Sequence, residues 1–192
     1  MLNDLSSPLA LLETRRSGKP RDMIAPGPTP DELDRILRIA ARVPDHGKLA
    51  PWRFVVIEDR DAFAQLLARA YAEDRPDAGA LELKANEEFA RQAPLLVAVL
   101  SKPVAGSKIP LSEQRQSASV AAYNLELAAT ALGYVSGWLT GWAAFSPTVL
   151  RALDAAGEGD EIVGFIFIGT PGRPPEERPR PAIETVVRRW PD

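Results

Sequence analysis

The chain has 192 residues, with 18 Pro, 13 Gly, one His, no Cys and a net charge of −3. That length favours one domain over residues 1–192 and suffices to bury roughly 70% of the unfolded surface without disulfide or metal staples. No Cys and a single His exclude disulfides, zinc–cysteine and iron–sulfur sites, a cysteine nucleophile and an internal two-histidine site, so no metal is expected.

Of the 23 cations, 18 are Arg and 5 are Lys. Arg grips carboxylates and phosphates bidentately, which favours small anions over nucleic acid as ligands. The N-terminus carries Asp4 and no basic region ahead of its short apolar run, unlike a signal peptide. No apolar run approaches the ~20 residues of a membrane span, so a soluble, cytoplasmic protein with no membrane partner is expected.

Ser7-Pro8 predicts the start of a first helix that turns Leu9, Leu11 and Leu12 inward. A Gly/Pro-rich loop, Gly18 to Pro28, follows. Thr29-Pro30-Asp31-Glu32 reads as a capping box opening a helix with Leu33, Ile36, Leu37 and Ala40 on its apolar face. Arg53 to Glu58 reads as a strand. Asp59 or Asp61 then caps a helix carrying Phe63, Leu66, Leu67 and Ala70, and a polar helix over 77–93 comes next. Pro94 to Leu100 (PLLVAVL) suits a central strand buried on both faces. The longest helical pattern runs from Ser112 to Leu132, closed by Gly133. Its small residues place it in the core or at an interface, and would let two subunits approach closely. A strand over Tyr134–Leu139, a helix from Ser146-Pro147 and a strand over Ile162–Ile168 complete the order. Six prolines between Pro171 and Pro191 keep the tail from folding as a helix before Ile183. Two helices between the first two strands break a regular β–α alternation, so the fold class is α+β.

Four segments concentrate chemistry. Arg15-Arg16-Ser17 joins two guanidiniums and a hydroxyl, suited to a phosphate and a polar ring edge; basic residues at a helix end also simply complement its dipole. Arg42-Val43-Pro44-Asp45-His46-Gly47-Lys48 runs through a proline-bracketed turn to Pro51-Trp52-Arg53-Phe54. Gly133 to Trp142 sets three glycines and two tryptophans on a strand and its exit, where glycine marks close approach by a ligand or another backbone, or ordinary core packing. Arg173, Arg178 and Arg180 stand among prolines, either pre-ordered for a phosphate or solvated. Glu113, Glu126 and the acidic cluster Glu158, Asp160 and Glu161 read as solvated faces and caps. No G-x-G-x-x-G, Walker or G-x-S-x-G segment occurs.

In this order and spacing, the four segments resemble the nitroreductase family, specifically its short, YdjA-like FMN-dependent branch, from about Ser7 to Val187. The resemblance implies a nitroreductase-like fold: a central mixed, mainly antiparallel sheet flanked by helices, in an intertwined homodimer with FMN at the subunit interface. It implies that Arg15, Arg16 and Ser17 contact FMN. Arg42 and His46 would reach it from the other subunit, with Trp138, Leu139 and Thr140 lying beside the flavin. Arg178 and Arg180 would approach its phosphate, and Ala128, Ala129, Thr130, Ala131, Leu132 and Gly133 would form the nicotinamide-cofactor segment. Ala50 and Leu139 depart from the family's common Gln and Arg.

The implied activity is NAD(P)H-dependent reduction of a small-molecule electron acceptor, such as a nitro compound or quinone, by ping-pong hydride transfer on FMN. The flavin carries the chemistry, so no protein residue is expected to be catalytic in its own right. Two alternatives stay open: a non-catalytic flavin-binding carrier or sensor, and a binder of some other small phosphorylated anion.

Overall fold

A computed structural model describes residues 1–191. The Ser7 hydroxyl accepts from the Ala10 N–H and Pro8 takes the first position of helix α1 (Pro8–Thr14). Only Leu11 turns into the body. Leu9 and Leu12, expected beside it, stand exposed, because two turns of helix lying on the rim bury a single row. The loop expected over Gly18–Pro28 contains a two-residue strand, β1 (Met23–Ile24), too short to leave an alternation in the sequence. Helix α2 (Pro30–Ala40) opens with the reciprocal capping box of Thr29 and Glu32, and buries Ile36 and Ala40 with Leu33 and Leu37 beside them.

Strand β2 (Trp52–Val56) leads to Asp59, which caps α3 (Arg60–Asp74); α4 (Ala80–Arg91) follows, shorter than the 77–93 expected. Strand β3 (Leu95–Ser101) precedes the long α5 (Leu111–Ala131), which ends at Gly133 with φ +91°. Strand β4 (Val135–Leu139), helix α6 (Pro147–Ala152), strand β5 (Glu161–Pro171) and one final turn, α7 (Ile183–Val186), complete the chain.

The sheet order is β1-β5-β3-β2, with β4 also paired to β5. Every pairing among the described strands is antiparallel, as the mainly antiparallel sheet expected here requires, and no parallel pair joins them within this chain. Its faces alternate residue by residue. Leu96, Ala98, Leu100, Phe165 and Phe167 face Phe63, Leu67 and Phe89 of α3 and α4. Val97, Val99, Ile166 and Ile168 face Ile36 and Ala40 of α2 and Ala122, Leu125 and Ala129 of α5. Burial on both faces explains the unbroken apolar run of β3.

Of the two places expected for the small residues of α5, the core is the one seen within this chain. Ala118, Ala121, Ala122, Ala128 and Ala129 are buried within this chain, where they let α5 press on the sheet and α2; Val120 and Tyr123 are left exposed.

Candidate functional site

The Arg-Arg-Ser segment is a clasped turn at the end of α1. Asn3 holds the peptide of Arg16 from both sides: its Oδ1 accepts from the Arg16 N–H at 2.6 Å and its Nδ2 donates to the Arg16 carbonyl at 3.2 Å. Two residues on, the Gly18 N–H donates to the Ser136 carbonyl of β4 at 2.8 Å. A Cβ on Gly137 would lie 2.6 Å from the Gly18 carbonyl oxygen, so glycine at 137 lets the loop lie flat on the strand. Arg15 donates to the Ser17 hydroxyl at 3.3 Å, and its guanidinium lies over the Tyr123 ring of α5, 5.5 Å from the centroid.

The proline-rich tail returns to this loop. Arg16 Nε donates to the Glu176 carbonyl at 2.8 Å, Arg180 reaches the Arg15 carbonyl at 3.5 Å, and Glu177 lies 3.8 Å from Arg16 and 3.4 Å from Arg180. Lys19 pairs with Glu176 at 3.7 Å. Between loop and tail lies a cleft of about 490 Å³ lined by Arg16, Ser17, Lys19, Met23, Val135 and Arg173, among others. A smaller recess of about 180 Å³ shares Val135 and Pro171 with it and reaches Thr130 and Gly133 at the end of α5. The expected 128–133 segment therefore divides. Ala128, Ala129 and Thr130 face the core, and Ala131 to Gly133 form its accessible part.

Trp138, Leu139 and Thr140 stand at the exit of β4, and among the described residues no hydrogen bond or ion pair joins their side chains to residues 15–19. The Trp138 indole N–H donates to the Val163 carbonyl at 3.1 Å, and its ring covers Gly164, where a Cβ would meet Nε1 at 2.0 Å. That ring is committed to packing, whereas Leu139 and Thr140 are exposed. Arg178 is exposed, and its main-chain N–H is held by Glu177.

Arg42 and His46 lie elsewhere in the chain. Arg42 belongs to a surface groove along the outer side of α2, of about 610 Å³, with Asp31, Asp34, Arg35 and Arg38; its carbonyl accepts from Asn124 of α5. His46 Nδ1 is 2.7 Å from a Glu113 carboxylate oxygen. Arg42 follows the end of α2, and His46 sits on a turn in which Gly47, Lys48 and Ala50 have positive φ. Asp45 closes that turn by accepting from the Leu49 and Ala50 N–H groups. Among the described residues, no hydrogen bond or ion pair joins Arg42 or His46 to residues 15–19.

Of the carboxylates expected on solvated faces or as caps, Asp160 pairs with Lys102 and Glu161 with Arg115. Glu113 holds His46. Glu126 is only 3% exposed and accepts from the Ser136 hydroxyl at 3.3 Å. Burial pushes the Glu126 carboxyl above its ordinary range, against the pull of Arg15 and Ser136. Asn3, Lys19 and Glu126 thus belong to the site without having stood out in the sequence. An Asn clasp needs the fold to bring it near, and a lone Glu in an Ala-rich helix reads as surface. No group of three or more potential metal ligands occurs among the described residues, and no described helix is long and apolar enough to cross a membrane.

The chain is similar to known proteins over most of its length. A profile of the nitroreductase family matches residues 12–170. The chain is 37% identical over 165 residues to an Escherichia coli K12 protein bearing the provisional name NAD(P)H nitroreductase YdjA, covering 85% of this chain and 87% of that one. Among solved structures, a nitroreductase-like family protein from Bacillus cereus superposes with a TM-score of 0.81 at 20% identity, over 97% of both chains. The NADPH:FMN oxidoreductase of Vibrio harveyi, complexed with NAD+, superposes with a TM-score of 0.70 at 18% identity, over 92% of this chain and 74% of that one. The profile match and the 37% identity to YdjA show that this chain belongs to the nitroreductase family, a family of NAD(P)H-dependent oxidoreductases.

Proposed function

We propose that the protein is an FMN-dependent oxidoreductase that takes reducing equivalents from NAD(P)H and passes them to a small oxidised acceptor, a nitro compound or quinone. The observation that carries this reading is the cleft between residues 15–19 and the tail. Its volume of about 490 Å³ falls in the roughly 300–1,000 Å³ span of small-molecule sites. Its donors, Arg16, Ser17, Lys19 and Arg173, with Arg15 and Arg180 adjoining, are the set a phosphate monoester needs.

Bound in this cleft, FMN would supply the redox chemistry, a ping-pong hydride transfer between NAD(P)H and the acceptor. The protein's part is to bind, orient and compensate charge. Arg16 and Lys19 hold the phosphate together with the Ser17 hydroxyl. Arg15, lying over the Tyr123 ring, would place positive charge beside the cofactor. Leu139 and Thr140 offer main-chain groups beside the ring, and the accessible residues Ala131 to Gly133 form the nicotinamide side.

Arg42 and His46 serve the same site from a second copy of the chain. Their separation from residues 15–19 supports this, as do the apolar side chains of Leu9, Leu12, Val120 and Tyr123 exposed on α1 and α5. The test is steady-state NAD(P)H oxidation by FMN-loaded protein with a quinone or nitroarene varied against the reductant. Parallel double-reciprocal lines support the reading. Stoichiometric flavin with no acceptor-dependent turnover would instead favour a carrier or sensor.

A further inference from the structure

His46 is the chain's one histidine, and its ring is held by a carboxylate from another element. Glu113, in the first turn of α5, places its Oε2 2.7 Å from His46 Nδ1. Both partners stand on fixed backbone. Gln114, beside Glu113 and buried, accepts from the Val104 N–H at 2.8 Å and donates to the Ile109 carbonyl at 3.0 Å, which ties the approach to α5 to the helix itself. The His46 turn packs on that approach: a Cβ on Gly47 would lie 3.2 Å from Ile109 Cγ1. The neighbouring charged groups are engaged elsewhere. Asp45 accepts from the Leu49 and Ala50 N–H groups, and Arg115 pairs with Glu161.

We infer that Glu113 is a positioning residue for the candidate flavin site, fixing the ring of His46 so that Nε2 is left to the cofactor as a hydrogen-bond acceptor. This rests on the flavin reading above, in which His46 serves the site from a second copy of the chain. A carboxylate offers only acceptors, so in the neutral imidazole the proton stands on Nδ1 and Nε2 carries the free lone pair. Such a nitrogen takes a hydroxyl or an imide N–H, and FMN has both, on its ribityl chain and on its ring. The His46 side chain is 64% exposed, and among the described residues no hydrogen bond occupies Nε2. A pair this exposed adds little to stability. Its effect is on direction. A ring free to rotate would offer either nitrogen, whereas the bond to Glu113 selects one edge and lowers the ordering cost of binding.

The test has two arms. In the flavin-free protein, nitrogen NMR at alkaline pH reads the neutral form of the single imidazole. The natural chain is expected to carry the proton on Nδ1, and Glu113→Ala to move it to Nε2, the tautomer that histidine favours in water. A natural chain protonated on Nε2, or a tautomer that Glu113→Ala leaves unchanged, would overturn the pairing whatever the protein binds. FMN affinity is then measured at the same pH for Glu113→Ala, His46→Ala and the double variant. Glu113→Ala is expected to weaken FMN roughly five-fold when His46 is present and to change little when it is absent. Equal weakening in both backgrounds, or none, would overturn Glu113's part in the site. A chain that shows the Nδ1 tautomer but binds no FMN would separate the two claims: the His46–Glu113 pair stands, and the flavin reading falls together with Glu113's part in it.

Discussion

The side-chain amide of Asn3 clasps the peptide of Arg16, accepting from its N–H at 2.6 Å and donating to its carbonyl at 3.2 Å. The two residues lie on either side of α1, so this clasp returns the chain end to the start of the candidate site. Asn3→Ala removes both bonds and places Ala at φ +53°, which Asn tolerates better. The expected cost is about 1–2 kcal/mol in urea unfolding, with weaker FMN binding in parallel.

Arg178 and Arg180 are exposed and, among the described residues, hold the tail through Glu177 and one long bond to Arg15. Such contacts add little stability. The double variant Arg178→Gln/Arg180→Gln is expected to keep its melting temperature while binding FMN roughly ten-fold more weakly, the cost of losing charged hydrogen bonds. The difference should shrink as salt is added, because exposed charges are screened. Calorimetry and flavin-fluorescence titration at two salt concentrations check both statements.

Gly137 and Gly18 are in backbone contact, and a methyl group on Gly137 would come within 2.6 Å of the Gly18 oxygen. Gly137→Ala therefore has to push the Arg15–Gly18 turn off β4. The expected penalty is about 1–3 kcal/mol, the usual range for overpacking. Purified Gly137→Ala protein should also carry less flavin per chain than the natural protein.

Glu126 sets a pH dependence of known sign. Its folded-state carboxyl titrates above the unfolded value of 4.5, raised chiefly by burial. The stability this contributes is fully present below the unfolded value and is lost as pH rises through the folded one. Urea unfolding from pH 4 upward should show the natural chain losing stability relative to Glu126→Gln. A constant difference across that range would mean that Glu126 titrates alike in both states.

Much of the fold was legible because local rules agree with the tertiary ones. The Thr29–Glu32 box, the Ser7-Pro8 start and the Asp59 cap each mark a helix that exists, and PLLVAVL marks the strand buried on both faces. What failed depends on neighbours distant in sequence. Leu9 and Leu12 carry a helical pattern, but which row faces the body is set by how α1 docks. Strand β1 owes its pairing wholly to Thr170 and Pro171. At the site, guanidinium clusters and glycines stand out because their chemistry is unusual in any context. Asn3 and Glu126 are ordinary residues until the fold delivers them to Arg16 and Ser136.

The central claim is that the cleft between residues 15–19 and the tail holds an FMN that NAD(P)H reduces. The most direct measurement is the visible spectrum of the FMN-loaded, desalted protein before and after anaerobic addition of NADPH, then NADH. Retained flavin bands that bleach with one or both nucleotides are expected. A protein that retains no flavin, or whose flavin bands persist in the presence of both nucleotides, would contradict the account.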